Sequence, residues 1–247
     1  MRYTVYIIGL LLAMVFTACN DATPECFRDM GSIVTYETEV PDFTSIHISA
    51  GIEVVITEGP KQKVSIQTGE HIKSYITAGV KDNVLWLNND ANCNWVREYN
   101  STTVYITTPH LEKIYSASQF AVRSDGVLAF PSLSLQSGLF SETASGTFEL
   151  ELNCQNFTVE DNQSCYYKIT GAVENLTVNF YSGDARFDGS GLKAQKLEVF
   201  HRSSNDIIAN VAREVTGTLY STGNLVLKHH PPVVNVDRVY SGKVVYE

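Results

Sequence analysis

Apolar and polar residues alternate along this chain in short runs. Ile46-x-Ile48, Ile52-x-Val54-x-Ile56, Val64-x-Ile66 and Val104-x-Ile106 put an apolar residue at every second position. That period marks half-buried strands, because successive side chains of a strand point to opposite faces. No stretch of comparable length carries the helical period. Gly59-Pro60 separates the second and third runs, and Asp82-Asn83 before Val84–Leu87 predicts a tight turn.

From residue 110 onward a longer beat appears. Leu111–Ser116, Leu133–Gly138, Phe157–Asp161, Leu176–Gly183, Leu197–Ser203, Val215–Gly223 and Val234–Gly242 each join an alternating run to a small or polar turn. Their marker residues Ser116, Ser137, Asp161, Ser182, Ser203, Ser221 and Ser241 are 21, 24, 21, 21, 18 and 20 residues apart. A strand-built period near twenty residues predicts an all-β fold, a parallel, right-handed β-helix. Each coil of such a solenoid buries its apolar side only against neighbouring coils. A sandwich would instead show hairpin turns at a shorter spacing with no longer period. Residues 33–109 are expected to flank or cap the helix, residues 110–247 to form its coils, and 33–247 to be one continuous domain. Second strands such as Phe120-x-Val122, Phe148-x-Leu150-x-Leu152 and Ile207-Ile208 fall between the markers. Gly, Asn and Asp at the turns supply the positive φ that corners require.

The start of the chain reads as an export signal. Arg2 precedes an apolar run from Val5 to Phe16, roughly a dozen residues and too short to span a bilayer. The run ends Phe16-Thr17-Ala18-Cys19, which resembles a bacterial lipobox, although Phe16 stands where Leu is usual. This predicts a signal peptide over 1–18 and a lipidated Cys19 that anchors the protein without spanning the membrane. Ordinary cleavage after Ala18 is the alternative. Residues 19–32, polar and punctuated by Pro and Gly, read as a tether.

Charge narrows the partners. The chain has 18 Lys and Arg against 27 Asp and Glu, a net charge of −9. An acidic surface argues against nucleic acid and against electrostatic binding to membranes. With Cys19 assigned to lipid, Cys26, Cys93, Cys154 and Cys165 remain. An exported protein permits disulfides, and Cys154–Cys165 is the expected pair, with buried free thiols as the alternative. No CxxC pair occurs, so no metal site and no cofactor is indicated.

With export signal, lipobox-like cysteine and repeat together, the chain resembles the auto-transporter adhesin, head GIN domain family of exported β-helical proteins. The resemblance is carried by Phe43-x-x-Ile46, Gly51-Ile52-x-Val54-x-Ile56 and the run Val104 to Leu111. The turns Ser116-Ala117-Ser118, Gln136-Ser137-Gly138, Tyr181-Ser182-Gly183 and Tyr240-Ser241-Gly242 complete it. Glu160-Asp161-Asn162 and His201-Arg202-Ser203 depart from the turn pattern. The resemblance implies a lipoprotein of the outer membrane, facing the cell surface or the periplasm, and supplies no activity.

Two kinds of chemistry could sit on such a frame. Asp161, Asp184 and Asp206, spaced about one coil apart, would form an acidic edge if they stacked, as in a polysaccharide lyase or hydrolase. The alternative is a set of corner aspartates chosen for turn conformation. Binding is the other possibility. Asn92, Trp95 and Tyr99 lie in the Asn-rich loop 88–101, and Tyr181, Tyr220 and Tyr240 each precede a marker serine. Aromatic faces stack on sugar rings while amides bond the hydroxyls. An aromatic plug for the loop and core stacking for the tyrosines are the structural alternatives. His229-His230 precedes Pro231 and reads as a turn. The expectation is a non-catalytic envelope protein that binds a glycan or a cell-surface protein. Self-association as a purely structural protein is a further option.

Overall fold

A computed structural model of the chain describes residues 29–91, 102–140 and 144–247. Two stacks of parallel strands run its length, joined by two corners per coil. One stack, face A, contains β2 (Ser45–Ile48), β6 (Val84–Asn89), β8 (Lys113–Ser116), β10 (Ser132–Ser137) and β16 (Val233–Arg238). The other, face B, contains β3 (Glu53–Glu58), β7 (Thr103–Thr108), β9 (Val122–Leu128), β15 (Leu225–Leu227) and β17 (Val244–Tyr246). Four long strands serve both faces: β11 (Thr147–Asp161), β12 (Tyr166–Phe180), β13 (Arg186–His201) and β14 (Ile207–Leu219). Their first halves lie on face B and their second halves on face A, so they turn the second corner without breaking. The result is the β-solenoid that the repeat predicts.

Register shows why the apolar residues fall where they do. On face A one inward column runs Leu85, Ile46, Ile114, Leu135, Val159, Val178, Val199, Gly217 and Val236. Its members, except Gly217 and Val236, are buried. Gly217 takes φ 129°, and a Cβ there would collide with the Val199 carbonyl oxygen. Glycine is therefore the residue that lets the column close at that rung. Face B faces this column with Val54, Ile56, Phe148, Leu150, Ile169, Phe187 and Ile207.

Residues 33–109 do more than flank the helix. The segment β2–β3 is inserted between the rungs β6–β7 and β8–β9, so stacking order departs from chain order. Two antiparallel additions cover this end of the solenoid. The strands β1 (Ile33–Thr38) and β4 (Lys63–Gly69) extend face B beyond β7, and β5 (Ile76–Lys81) pairs with β6. The β5–β6 turn is Asp82-Asn83, both at positive φ, as the sequence predicts.

The second inward column of face A is unusual because polar residues occupy it: Leu87, Ile48, Ser116, Ser137, Asp161, Phe180, His201 and Leu219. All of these are buried. Ser137 Oγ donates to the Ser116 carbonyl at 2.8 Å, and three coils later, just past His201, Ser203 Oγ donates to the Ala185 carbonyl at 2.7 Å. These hydroxyls satisfy corner carbonyls that would otherwise be buried without a donor. Asp161 accepts from Tyr167 Oη at 2.7 Å and from the Gln163 main-chain N–H at 2.6 Å. Burial nevertheless pushes its carboxyl up to about 6. His201 stacks edge-on against Phe180, and neither ring nitrogen has a hydrogen-bond partner among the described residues. Burial lowers its pKa to about 4, against the opposing pull of Asp206 and the Asn205 and Asn224 main chain.

The expected Cys154–Cys165 disulfide is not formed; both thiols are free and buried. The main-chain N–H of Tyr166 bonds the Gly146 carbonyl and Tyr166 pairs with Thr147, which places Cys165 beside Gly146. Cys154 lies at the far end of the same face-B segment. At about 3.3 Å per residue the two are roughly 26 Å apart, far beyond the reach of a disulfide. Closeness in sequence misleads here because the intervening residues run the length of a strand and round a corner. Cys154 Sγ donates to the Leu128 carbonyl at 3.7 Å, and Cys165 Sγ sits 2.9 Å from Ser137 Oγ. Burial raises their pKa values to about 11 and about 12.

Two measurements test this interior. Native protein treated with iodoacetamide at pH 8 leaves Cys154 and Cys165 unmodified, as read by peptide mass, and denaturant exposes both. Modification of Cys154 or Cys165 in the native protein, or a Cys154–Cys165 cross-linked peptide, contradicts the packing. The second measurement is urea stability against pH. The raised Asp161 pKa makes its contribution fall as pH rises from about 4 to 6, because the folded state then holds the proton more tightly. The lowered His201 pKa makes its contribution fall in the other direction, as pH drops from about 6.5 to 4. Each is worth about 3 kcal/mol at most. Relative to wild type, Asp161→Asn therefore steepens the acid loss, and His201→Leu turns the slope toward loss at neutral pH. Parallel profiles for all three proteins contradict the assignment.

Candidate functional site

Between the two inward columns of face A every strand contributes one outward side chain. In stacking order these are Trp86, His47, Tyr115, Gln136, Glu160, Asn179, Phe200, Thr218 and Asp237. Each sits between inward neighbours, as in Leu85-Trp86-Leu87, Ile46-His47-Ile48 and Val199-Phe200-His201. Strand alternation thus fixes their direction, and coil stacking lines them up about 4.8 Å apart.

Aromatic rings gather at two places along this row. At one, His47 stacks on Trp86 with ring centroids 4.1 Å apart and on Tyr115 at 4.5 Å, and Phe140 leans on Tyr115 at 5.5 Å. Trp86 is 38% exposed and Phe140 80%, while Tyr115 beside Phe140 is buried at 4%. Burial lowers the His47 pKa, which favours the neutral ring and an uncharged stack. At the other place, Phe200 lies 5.7 Å from Tyr181 and 4.7 Å from Tyr220. Between the two clusters the Glu160 carboxylate is held at both oxygens, by Gln136 Nε2 at 2.6 Å and Tyr181 Oη at 2.6 Å. Burial and the Glu160 carboxylate push the Tyr181 pKa up to about 12, so its hydroxyl remains a donor. Beside the row runs a second outward column of short hydroxyl side chains: Ser134, Thr158 and Thr177 on successive coils.

Face B presents a different exterior. Its matching column reads Arg123, Glu149, Lys168 and Asp188, with signs alternating from coil to coil. Arg123 bonds Glu149 at 3.1 Å and also pairs with Glu53. These charges answer one another within the protein.

The expected tyrosine ladder is only partly built. Leu219 pairs with His201, which pairs with Phe180, so Tyr181 and Tyr220 share an outward column with Arg202 between them. Arg238 pairs with Leu219, which sets Val239 beside Tyr220 and leaves Tyr240 one position out of line. Tyr240 is 66% exposed and belongs to the next corner. Phe200, which the sequence reading passed over, bridges the two aligned tyrosines. Trp86, His47 and Tyr115 were also missed. The signal that finds them is the single residue enclosed by two inward ones, compared from strand to strand. Asn92, Trp95, Tyr99 and Cys19 lie outside the described residues.

The acidic edge does not assemble. Asp161 points into the core column of Phe180 and His201. Asp184 is exposed at a corner, where its N–H bonds the Gln163 carbonyl. Asp206 precedes Ile207, the partner of Phe187, and its carboxylate caps the Asn224 N–H at 2.8 Å. The spacing in sequence is regular, yet the corners differ in length, so three different columns result. Among the described residues no group of three His, Cys, Asp or Glu side chains gathers to hold a metal ion. A depression of about 620 Å³ lies at the capped end between Glu37–Val40 and Lys61–Val64. The Glu37–Lys63 ion pair at 2.7 Å closes part of it.

Comparison with known proteins places this architecture. A crystal structure of a putative adhesin from Bacteroides fragilis superposes with a TM-score of 0.79 at 19% identity, covering 89% of this chain and all of that one. A putative lipid-binding protein from Parabacteroides distasonis gives 0.66 at 14% identity over 88% and 99%. A putative adhesin from the same species gives 0.63 at 14% identity over 88% and 98%. At these identities the likeness is one of fold. No functionally curated protein matches the chain. The family described as putative auto-transporter adhesin, head GIN domain, matches residues 42–231, and the chain belongs to it.

Proposed function

We propose that this protein is a non-catalytic, adhesin-like component of the cell envelope that holds a glycan or a cell-surface protein on the outer side of face A. The observation that carries this is the outward surface of face A, where two aromatic clusters, Trp86–His47–Tyr115 and Tyr181–Phe200–Tyr220, flank a pre-ordered Glu160 on a rigid sheet. Aromatic side chains supply large contact area at small entropic cost, and a solenoid keeps them in place before the ligand arrives. Membership of an adhesin family supports the same reading. So does the separation of Asp161, Asp184 and Asp206, which weighs against the polysaccharide-cleaving alternative.

Export and anchoring through a lipidated Cys19 complete the proposal. The lipobox-like Phe16-Thr17-Ala18-Cys19 supports attachment through acyl chains. The net charge of −9 disfavours nucleic acid. One structural neighbour is described as lipid-binding, but here Phe148, Tyr167 and Phe180 pack the coil interior, and a lipid would have to use the outer surface.

The double substitution Phe200→Ser, Tyr220→Ser removes outward rings without opening the core. Retention of the purified protein on intact bacterial or epithelial surfaces is expected to drop about tenfold or more. Its melting temperature is expected to stay within a few degrees of wild type. Unchanged retention by a folded variant refutes the face-A assignment.

A further inference from the structure

We infer that the ligand of face A is a single uncharged, extended β-linked polysaccharide strand lying along the solenoid axis and touching both aromatic clusters at once. This rests on the reading of face A as the binding surface. It goes further in naming the ligand class, its direction and a second contact point, the exposed Trp86 and Phe140 of the first cluster, which the buried Tyr115 supports from beneath.

Spacing is the first reason. From Trp86 to Phe200 the row crosses six strand-to-strand steps, about 29 Å at about 4.8 Å each. That step is close to the advance of one pyranose unit in an extended β-linked chain. A polymer laid across the coils would therefore present successive rings to successive side chains of the row. Chemistry is the second. Rings stand at the ends, where sugar faces stack. The middle offers Gln136, Glu160 and Asn179 in the row and Ser134, Thr158 and Thr177 beside it, a strip of donors and acceptors for hydroxyls. Charge is the third. An anionic polymer would meet Glu160 in the row, Glu198 beside it and a protein of net charge −9. The neutral His47 ring adds no cation, and the two that flank the row, Lys113 and Arg202, are outnumbered by Glu160, Glu198 and Asp237. A protein partner does not call for a one-residue repeat, and a compact ligand would use one cluster only.

The test is a length series. Linear β-(1→4)-linked gluco-, manno-, xylo- and N-acetylglucosamine oligosaccharides, from disaccharide to octasaccharide, are titrated against the full chain and against Trp86→Ala and Phe200→Ala by calorimetry. For at least one sugar, affinity is expected to climb with length until the chain spans both clusters and then to level off. On the octasaccharide each single substitution is expected to cost about tenfold. On the disaccharide each is expected to cost little, because the other cluster remains. Two results overturn the inference: affinity that stops growing at the disaccharide, or long-chain binding sensitive to only one of the two substitutions. Failure of every oligosaccharide to bind overturns it as well. In that last case retention on cell surfaces still reads separately on face A, since loss of retention in the Phe200→Ser, Tyr220→Ser protein would leave a non-saccharide partner on the same flank.

Discussion

Parallel stacking in register is the constraint on which the rest of this structure depends. Once Ile46, Ile114, Leu135 and Val159 stand above one another, every other residue of those strands has its direction set. A slip of one residue would turn the whole inward column to solvent. Each coil is therefore chosen less for its own sequence than for its fit to two neighbours, which is why the apolar positions hold while the corners vary. The antiparallel additions β1, β4 and β5 occur at one end, where a parallel rung would otherwise present bare edges.

The same constraint explains how polar groups come to lie in the core. A corner turns the chain sharply and leaves carbonyls without strand partners, and these must find donors inside the coil. Ser137 and Ser203 provide them, at the inward position closest to the corner or just past it. Asp161 occupies the position that Ser137 has one coil earlier, and Tyr167 with the Gln163 N–H takes up its oxygens. His201 holds the place two coils later with nothing comparable to bond. Buried groups of opposite acid–base character thus sit within one column of an otherwise apolar solenoid, and their pH dependences oppose each other.

Fold class was legible from the sequence because alternation and the twenty-residue beat are local properties, and the Asp82-Asn83 turn likewise. Exact register was not. Ser182 follows Tyr181 as Ser221 follows Tyr220, yet the residue stacked on Asp161 is Phe180, two positions earlier than the marker. Gly, Asn and Ser corners accept or lose a residue at little cost, so counting from corner to corner accumulates error while counting along strands does not. Tyr240 fails to align for this reason, and so do Asp184 and Asp206. The insertion of β2–β3 between β6–β7 and β8–β9 was hidden for a different reason. Pairing between distant segments leaves no trace in a local pattern, and His47 therefore gave no sign of standing between Trp86 and Tyr115.

The two outer flanks divide the work of solubility and of contact. On face B, Arg123, Glu149, Lys168 and Asp188 alternate in sign from coil to coil, and Arg123 pairs with both Glu149 and Glu53. A ligand arriving there would have to strip water from this row of charges, with little gained in return. On face A most polar groups of the strip are uncharged, Glu160 is already ordered, and the rings are desolvated cheaply. Glu160 is an instructive case. Its two bonds fix the carboxylate without using all of its acceptor capacity, so it can take a further hydroxyl with almost no loss of conformational freedom. Tyr181 is fixed by the same bond, which sets its ring against Phe200. One hydrogen-bonded carboxylate thereby orders the polar middle and the nearer aromatic cluster together, and the sheet beneath it carries that order to the neighbouring coils.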